Sequence, residues 1–144
     1  MNEQQSRRLI WHGVFVFFLG LLSGFSTPFL ANPRMGLSAH LVAVTAGSFL
    51  VLMGLIWPKL KLSRPRQGWT FTLLLYGAYS NFSVTLLAAF WGTKSLTSIN
   101  GGAGGADWQE VFVSIGFITV IITTLAACLL VLYGLRSTVQ RKGL

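Results

Sequence analysis

Acid is nearly missing from this chain: Glu3, Asp107 and Glu110 carry its only side-chain carboxylates among 144 residues. None lies deep in an apolar run, so the paired carboxylates that hydrolysis uses are absent. Proton-coupled antiport, which commonly relies on intramembrane carboxylates, is disfavoured for the same reason. Cysteine is equally scarce. Cys128 stands alone in the middle of an apolar run, which excludes an internal disulfide and leaves packing as its reading. Histidine occurs twice, as His12 and His40.

What is present is hydrocarbon. Hydrophobic side chains make up 53% of the sequence against 10% charged, too apolar for an ordinary soluble domain. Four long apolar runs cover residues 9–30, 37–57, 69–91 and 111–135. A bilayer core asks for about 20 helical residues, so the expectation is an all-α membrane protein, residues 1–144 forming one four-transmembrane-helix bundle. Arg7 and Arg8 before an apolar run could also open a cleaved leader. The run is longer than a leader's apolar region, and no A-x-A pattern precedes Ala31, so a retained helix is expected.

The net charge of +8 invites a nucleic-acid reading, but its placement argues for lipid. Arg7, Arg8, Lys59, Lys61, Arg64, Arg66, Arg136, Arg141 and Lys142 fall at one set of helix ends, against Arg34 and Lys94 at the other. Nine against two in short connections predicts both termini on the cytoplasmic side and no nucleic-acid partner. The five tryptophans, Trp11, Trp57, Trp69, Trp91 and Trp108, fall at or beside helix ends, as in an interfacial aromatic belt.

His40 is the one titratable side chain set among small residues in an apolar helix. Ala43, Val44 and Gly47 share its face at helical spacing. The flat space beside the imidazole suits either a planar macrocycle that the histidine ligates or a close helix neighbour. His12 lies near the inner end of its helix and His40 near the outer end of the next, roughly 20 Å apart in depth. One subunit cannot clamp one iron between them. Gly20 and Gly24 form a G-x-x-x-G pair suited to close helix contact, and residues 32–36 read as a tight outer turn.

The third apolar run is the most polar. Tyr76, Tyr79, Ser80, Asn81, Ser83 and Thr85 are either interhelical hydrogen-bonding groups or donors for a small polar substrate. Thr119, Thr123 and Thr124 can return their hydroxyls to their own backbone. The glycine-rich stretch at 100–105 has the wrong context for a phosphate loop. It reads as a flexible linker, or else as a mobile cover over an outer pocket.

Five blocks, WHGVFVFFLGLLSG (11–24), ANPRMGLSAHLVAV (31–44), LIWPKLKLS (55–63), LYGAYSNFSVTLLAAFWG (75–92) and WQE (108–110), together resemble the hydroxylaminobenzene mutases over nearly the whole chain. A more distant likeness, through His12-Gly13, Ala39-His40 and Asn81, is to styrene oxide isomerase. The resemblance implies a homo-oligomer, such as a trimer, with haem b near subunit boundaries and His40 as axial ligand of the iron. It also implies intramolecular rearrangement of an aryl hydroxylamine to a 2-aminophenol in a bacterial inner membrane, with Asn81, Tyr76 and Tyr79 orienting the substrate. The family pattern carries asparagine six residues after this histidine, where this chain has Ala46. The rivals are an epoxide isomerase, a small haem membrane protein passing electrons, and a non-catalytic packing subunit.

Overall fold

The computed structural model describes residues 2–136; Arg141 and Lys142 lie outside them. Four helices follow one another: α1 Asn2–Ser26, α2 Pro33–Ile56, α3 Arg64–Trp91 and α4 Asp107–Arg136. Each is long and apolar enough to cross a membrane, and no strand occurs among the described residues. The chain is a multi-pass membrane protein built as an all-α bundle.

Every helix begins before its apolar run. α2 starts at Pro33 rather than 37, because Asn32 is its N-cap: the Asn32 side-chain oxygen accepts from Met35 N at 3.1 Å. Proline at the first helical position costs nothing there, since that N–H has no helical partner. The expected outer turn is therefore the first turn of α2. Pro65 plays the same part in α3. Past Trp91, α3 stops at Gly92, whose φ of 68° is the left-handed conformation that ends helices and favours glycine.

The early start of α1 has a tertiary cause. Ser6 donates to Gly54 O at 2.7 Å and Trp57 Nε1 donates to Gln5 Oε1 at 3.3 Å, so the polar N-terminal turns are held on the end of α2. Trp57 is 0% exposed and meets Phe71 edge to face. It is a core residue, not part of the lipid-facing belt. Trp11, Trp69 and Trp108, each more than 60% exposed, fit the belt as expected. Lys61 N donates to Gly134 O at 3.2 Å, which brings the α2–α3 connection to the end of α4. The start of α1, the end of α2, the start of α3 and the end of α4 thus share one end of the bundle, and with them the basic cluster.

α1 and α2 are in the closest contact. A Cβ added to Gly47 would lie 2.6 Å from Gly13 O and from Phe17 N, one on Gly20 2.8 Å from Ala43 Cβ, and one on Gly24 2.9 Å from His40 Nδ1. The small-residue stripe beside His40 is therefore a helix–helix seam. It was open between two readings in the sequence; α1 fills it. α4 leans chiefly on α3, with Gly77 against Thr124 and Gly116 against Val84.

Candidate functional site

Three polar neighbourhoods lie in the membrane-spanning part, and the candidate residues are divided among them. The first is His40. Its Nδ1 is 2.7 Å from Gly20 O. A carbonyl oxygen can only accept, so Nδ1 carries the proton and Nε2 is left with its lone pair. Ligating histidines are commonly held this way, by a backbone carbonyl on the other ring nitrogen. The half-buried imidazole fits the role of an axial ligand to a haem iron. The stripe of Ala43, Val44 and Gly47 does not fit the role of macrocycle cradle, because α1 occupies it.

The second neighbourhood is a groove of about 260 Å³ between α2, α3 and α4. Its α2 wall is Val42, Thr45, Ala46 and Phe49, its floor includes Leu73, Gly77 and Asn81 of α3, and Thr124 and Ala127 close it from α4. Asn81 Oδ1 is 3.5 Å from the Thr85 hydroxyl. The Asn81 Nδ2 donors have no partner among the described residues. In a hydrocarbon setting two unmet N–H groups cost free energy, so this groove is polarised towards an acceptor that the chain does not supply. Ala46 lies in the same wall.

The third neighbourhood holds the tyrosines. Tyr76, Tyr79, Ser80 and Ser83 line a separate groove with Phe112 and Thr119 of α4. Tyr76 donates to Thr119 Oγ1 at 3.3 Å, and the Tyr79 hydroxyl shares a 2.8 Å hydrogen bond with His12 Nδ1. The structure does not bring these tyrosines to Asn81. Helical phase is the reason: two residues on from Tyr79 is about 200° around the helix, so Asn81 points to the other side of α3. Both tyrosine hydroxyls are already engaged in tying α3 to its neighbours. His12 and His40 serve different helix pairs, consistent with the depth separation read from the sequence.

His40 and Asn81 are also parted. The imidazole faces Gly20 and Gly24 of α1, whereas the groove is bounded by the opposite side of α2. Among the described residues no three histidine, cysteine or acidic side chains gather as a metal-ion site. A metal on this chain would have to arrive with most of its ligands, as a porphyrin's iron does.

At the end of the bundle away from the basic cluster, the glycine-rich connection is an ordered cap, not a flexible linker. The Glu110 carboxylate accepts from Lys94 N at 3.1 Å, Ser95 N at 2.9 Å and Gly105 N at 2.8 Å. Asn100 Nδ2 reaches Met35 Sδ at 3.0 Å and Ser38 Oγ at 3.3 Å, which fastens the loop to the first turns of α2, below which His40 follows. Sequence reasoning missed Glu110; the available signal was a second acid, after Asp107, in the first turn of a helix, next to backbone N–H groups left free by a loop. Glu110→Gln is expected to speed amide hydrogen exchange at Lys94, Ser95 and Gly105 about tenfold or more, since one amide oxygen replaces a two-oxygen anion. Exchange mass spectrometry on the detergent-solubilised protein reads this directly.

The model of the styrene oxide isomerase family matches residues 5–136. Hydroxylaminobenzene mutase HabB of Ectopseudomonas oleovorans is 42% identical over 140 residues, spanning 96% of this chain and 85% of the relative. Hydroxylaminobenzene mutase HabA of the same organism is 38% identical over 125 residues, spanning 85% of this chain and 93% of the relative. No solved structure matches.

Proposed function

This chain belongs to the styrene oxide isomerase family and is a membrane isomerase, and from that premise we propose that it rearranges hydroxylaminobenzene-type aryl hydroxylamines to 2-aminophenols. The observation that carries the reading is the 42% identity along 96% of the chain with a hydroxylaminobenzene mutase. The reaction conserves composition: the N–O bond breaks, a C–O bond forms at the adjacent ring carbon, that carbon gives up its proton and the nitrogen gains one. The epoxide isomerisation for which the family is named poses the same opening problem, a bond to oxygen broken without water.

The Asn81 groove suits this chemistry. Its apolar walls accept an aryl ring and keep out bulk water that would intercept a cationic ring. Asn81 Nδ2 donates to the hydroxylamine oxygen, orienting it and stabilising the charge that develops as the bond to nitrogen lengthens. Tyr76 and Tyr79, expected beside Asn81, brace the far side of α3 in this reading. No side chain in the groove is an acid strong enough to draw the oxygen away. Haem b on His40 Nε2 would supply a Lewis-acidic ferric iron for that purpose.

Because one chain keeps His40 and Asn81 on opposite sides of α2, we place the working site in a homo-oligomer, where a second copy brings an imidazole-bearing face to the groove. A cyclic trimer repeats such a contact three times. The basic end of the bundle then faces the cytoplasm of a bacterial inner membrane, following the charge bias of short loops.

The test is turnover by the purified protein in labelled water. Phenylhydroxylamine should give 2-aminophenol whose oxygen carries no label; extensive label would contradict an internal transfer, and no turnover would remove the substrate. The absorption spectrum of the same preparation tests the cofactor. A Soret band that His40→Ala abolishes supports axial ligation, and a band unchanged in that variant takes His40 out of the role.

A further inference from the structure

Threonines in helix interiors normally return their hydroxyls to a carbonyl three or four residues earlier. On α4, Thr119 bonds Gly116 O at 2.8 Å and Thr123 bonds Thr119 O at 2.8 Å. Thr45, on the opposite wall of the groove, bonds Leu41 O at 2.7 Å. Thr124 makes no such bond. Its side chain lines the groove that holds Asn81, so a hydroxyl and the amide's N–H donors, unpartnered among the described residues, converge on one apolar cleft.

Gly77 makes that placement possible. A Cβ on Gly77 would lie 3.0 Å from Thr124 Oγ1, closer than ordinary packing. Gly77 and Asn81 are four residues apart on α3 and share the groove-facing side, so Asn81 follows about 6 Å along the helix axis. An N–O unit that accepts at oxygen and donates from nitrogen matches the amide N–H groups and the hydroxyl that line this one groove.

We propose that Thr124 is a second substrate-contacting residue, its hydroxyl accepting from the N–H of an aryl hydroxylamine whose oxygen is held by Asn81. This rests on the function proposed above. The two contacts together fix which end of the N–O bond meets which wall, and hence present the same ortho ring carbon to the departing oxygen at each turnover. Thr124 therefore discriminates by substrate donor: an N-alkylated hydroxylamine has no proton for it. The unmet hydroxyl in the free protein is the counterpart of that selectivity, since a site built around a hydrogen bond rejects the analogue that lacks it.

The experiment compares wild type, Thr124→Val and Thr124→Ser, with phenylhydroxylamine as substrate and N-methyl-N-phenylhydroxylamine as competing inhibitor. Valine keeps the shape and removes the hydroxyl; serine keeps the hydroxyl. Thr124→Val is expected to raise KM for phenylhydroxylamine about tenfold, the worth of one hydrogen bond, while the inhibition constant of the N-methyl compound stays put. Thr124→Ser should restore the wild-type ratio of the two constants. A role in packing alone would shift both constants together, or neither, and either result overturns the proposal. If the valine variant does not fold, Gly77→Ala displaces the same hydroxyl and must likewise raise the ratio of KM for phenylhydroxylamine to the inhibition constant of the N-methyl compound; an unchanged ratio overturns the proposal as well. Failure of the wild type to turn over phenylhydroxylamine would overturn the substrate reading and this proposal with it. Wild-type turnover with an unmoved ratio in Thr124→Val would overturn this proposal alone.

Discussion

Gly47→Ala is expected to destabilise the detergent-solubilised protein by about 1–3 kcal/mol, the usual cost of overpacking, and to lower its thermal midpoint by several degrees. Helix propensity argues the other way, since alanine in a helix interior is favoured over glycine by about 1 kcal/mol. Sterics win here because the new methyl would sit 2.6 Å from Gly13 O and from Phe17 N, both backbone atoms that cannot rotate aside. α1 and α2 would have to separate along the seam that also seats His40 against Gly24. Gly68→Ala is the matched control. Nothing lies within 4 Å of its added Cβ, so there the propensity gain stands alone and the midpoint should hold or rise. Equal effects of the two substitutions would mean that the seam is looser than the structure has it.

Asn81→Ala is expected to move activity and stability in opposite directions. Loss of a preorganised donor to a developing oxygen charge costs roughly 100- to 1,000-fold in kcat. Stability should be unchanged or raised, because an amide whose N–H groups have no protein partner is removed from the bilayer interior. Tyr79→Phe offers the contrast. It breaks the bond to His12 and should cost about 1 kcal/mol of stability, with a smaller loss of rate. Steady-state turnover and thermal unfolding of the two variants, measured side by side, separate the groups that serve the substrate from those that tie helices. Loss of stability in Asn81→Ala with kcat preserved would reverse the assignment.

The four spans were legible because 20 apolar residues in a row have few other uses, and the sidedness of charge because short loops carry it. Boundaries were less so. The Asn32-Pro33 pair reads equally as a turn or as a helix start until the Asn32 side chain is seen to accept from Met35 N. Trp57 could not be told from the interfacial tryptophans, since what buries it is Gln5 and Phe71, distant in sequence. The polar residues of the third run were visible as a set, and helical spacing parts Tyr76 and Tyr79 from Asn81, yet which neighbours each side meets depends on where α4 lands. Thr119, Thr123 and Thr124 look alike in sequence. Only the groove separates the third from the other two.

The unequal grip of the four helices bears on how the molecule is made. α1 and α2 interlock through glycines placed close together in the chain, so they can dock as a hairpin while the remainder is still being synthesised. α4 arrives last and rests largely on α3, which leaves it the wall of the groove most easily drawn aside. A ligand dissolved in the lipid phase could then pass beneath α4 while the older pair of helices stays fixed.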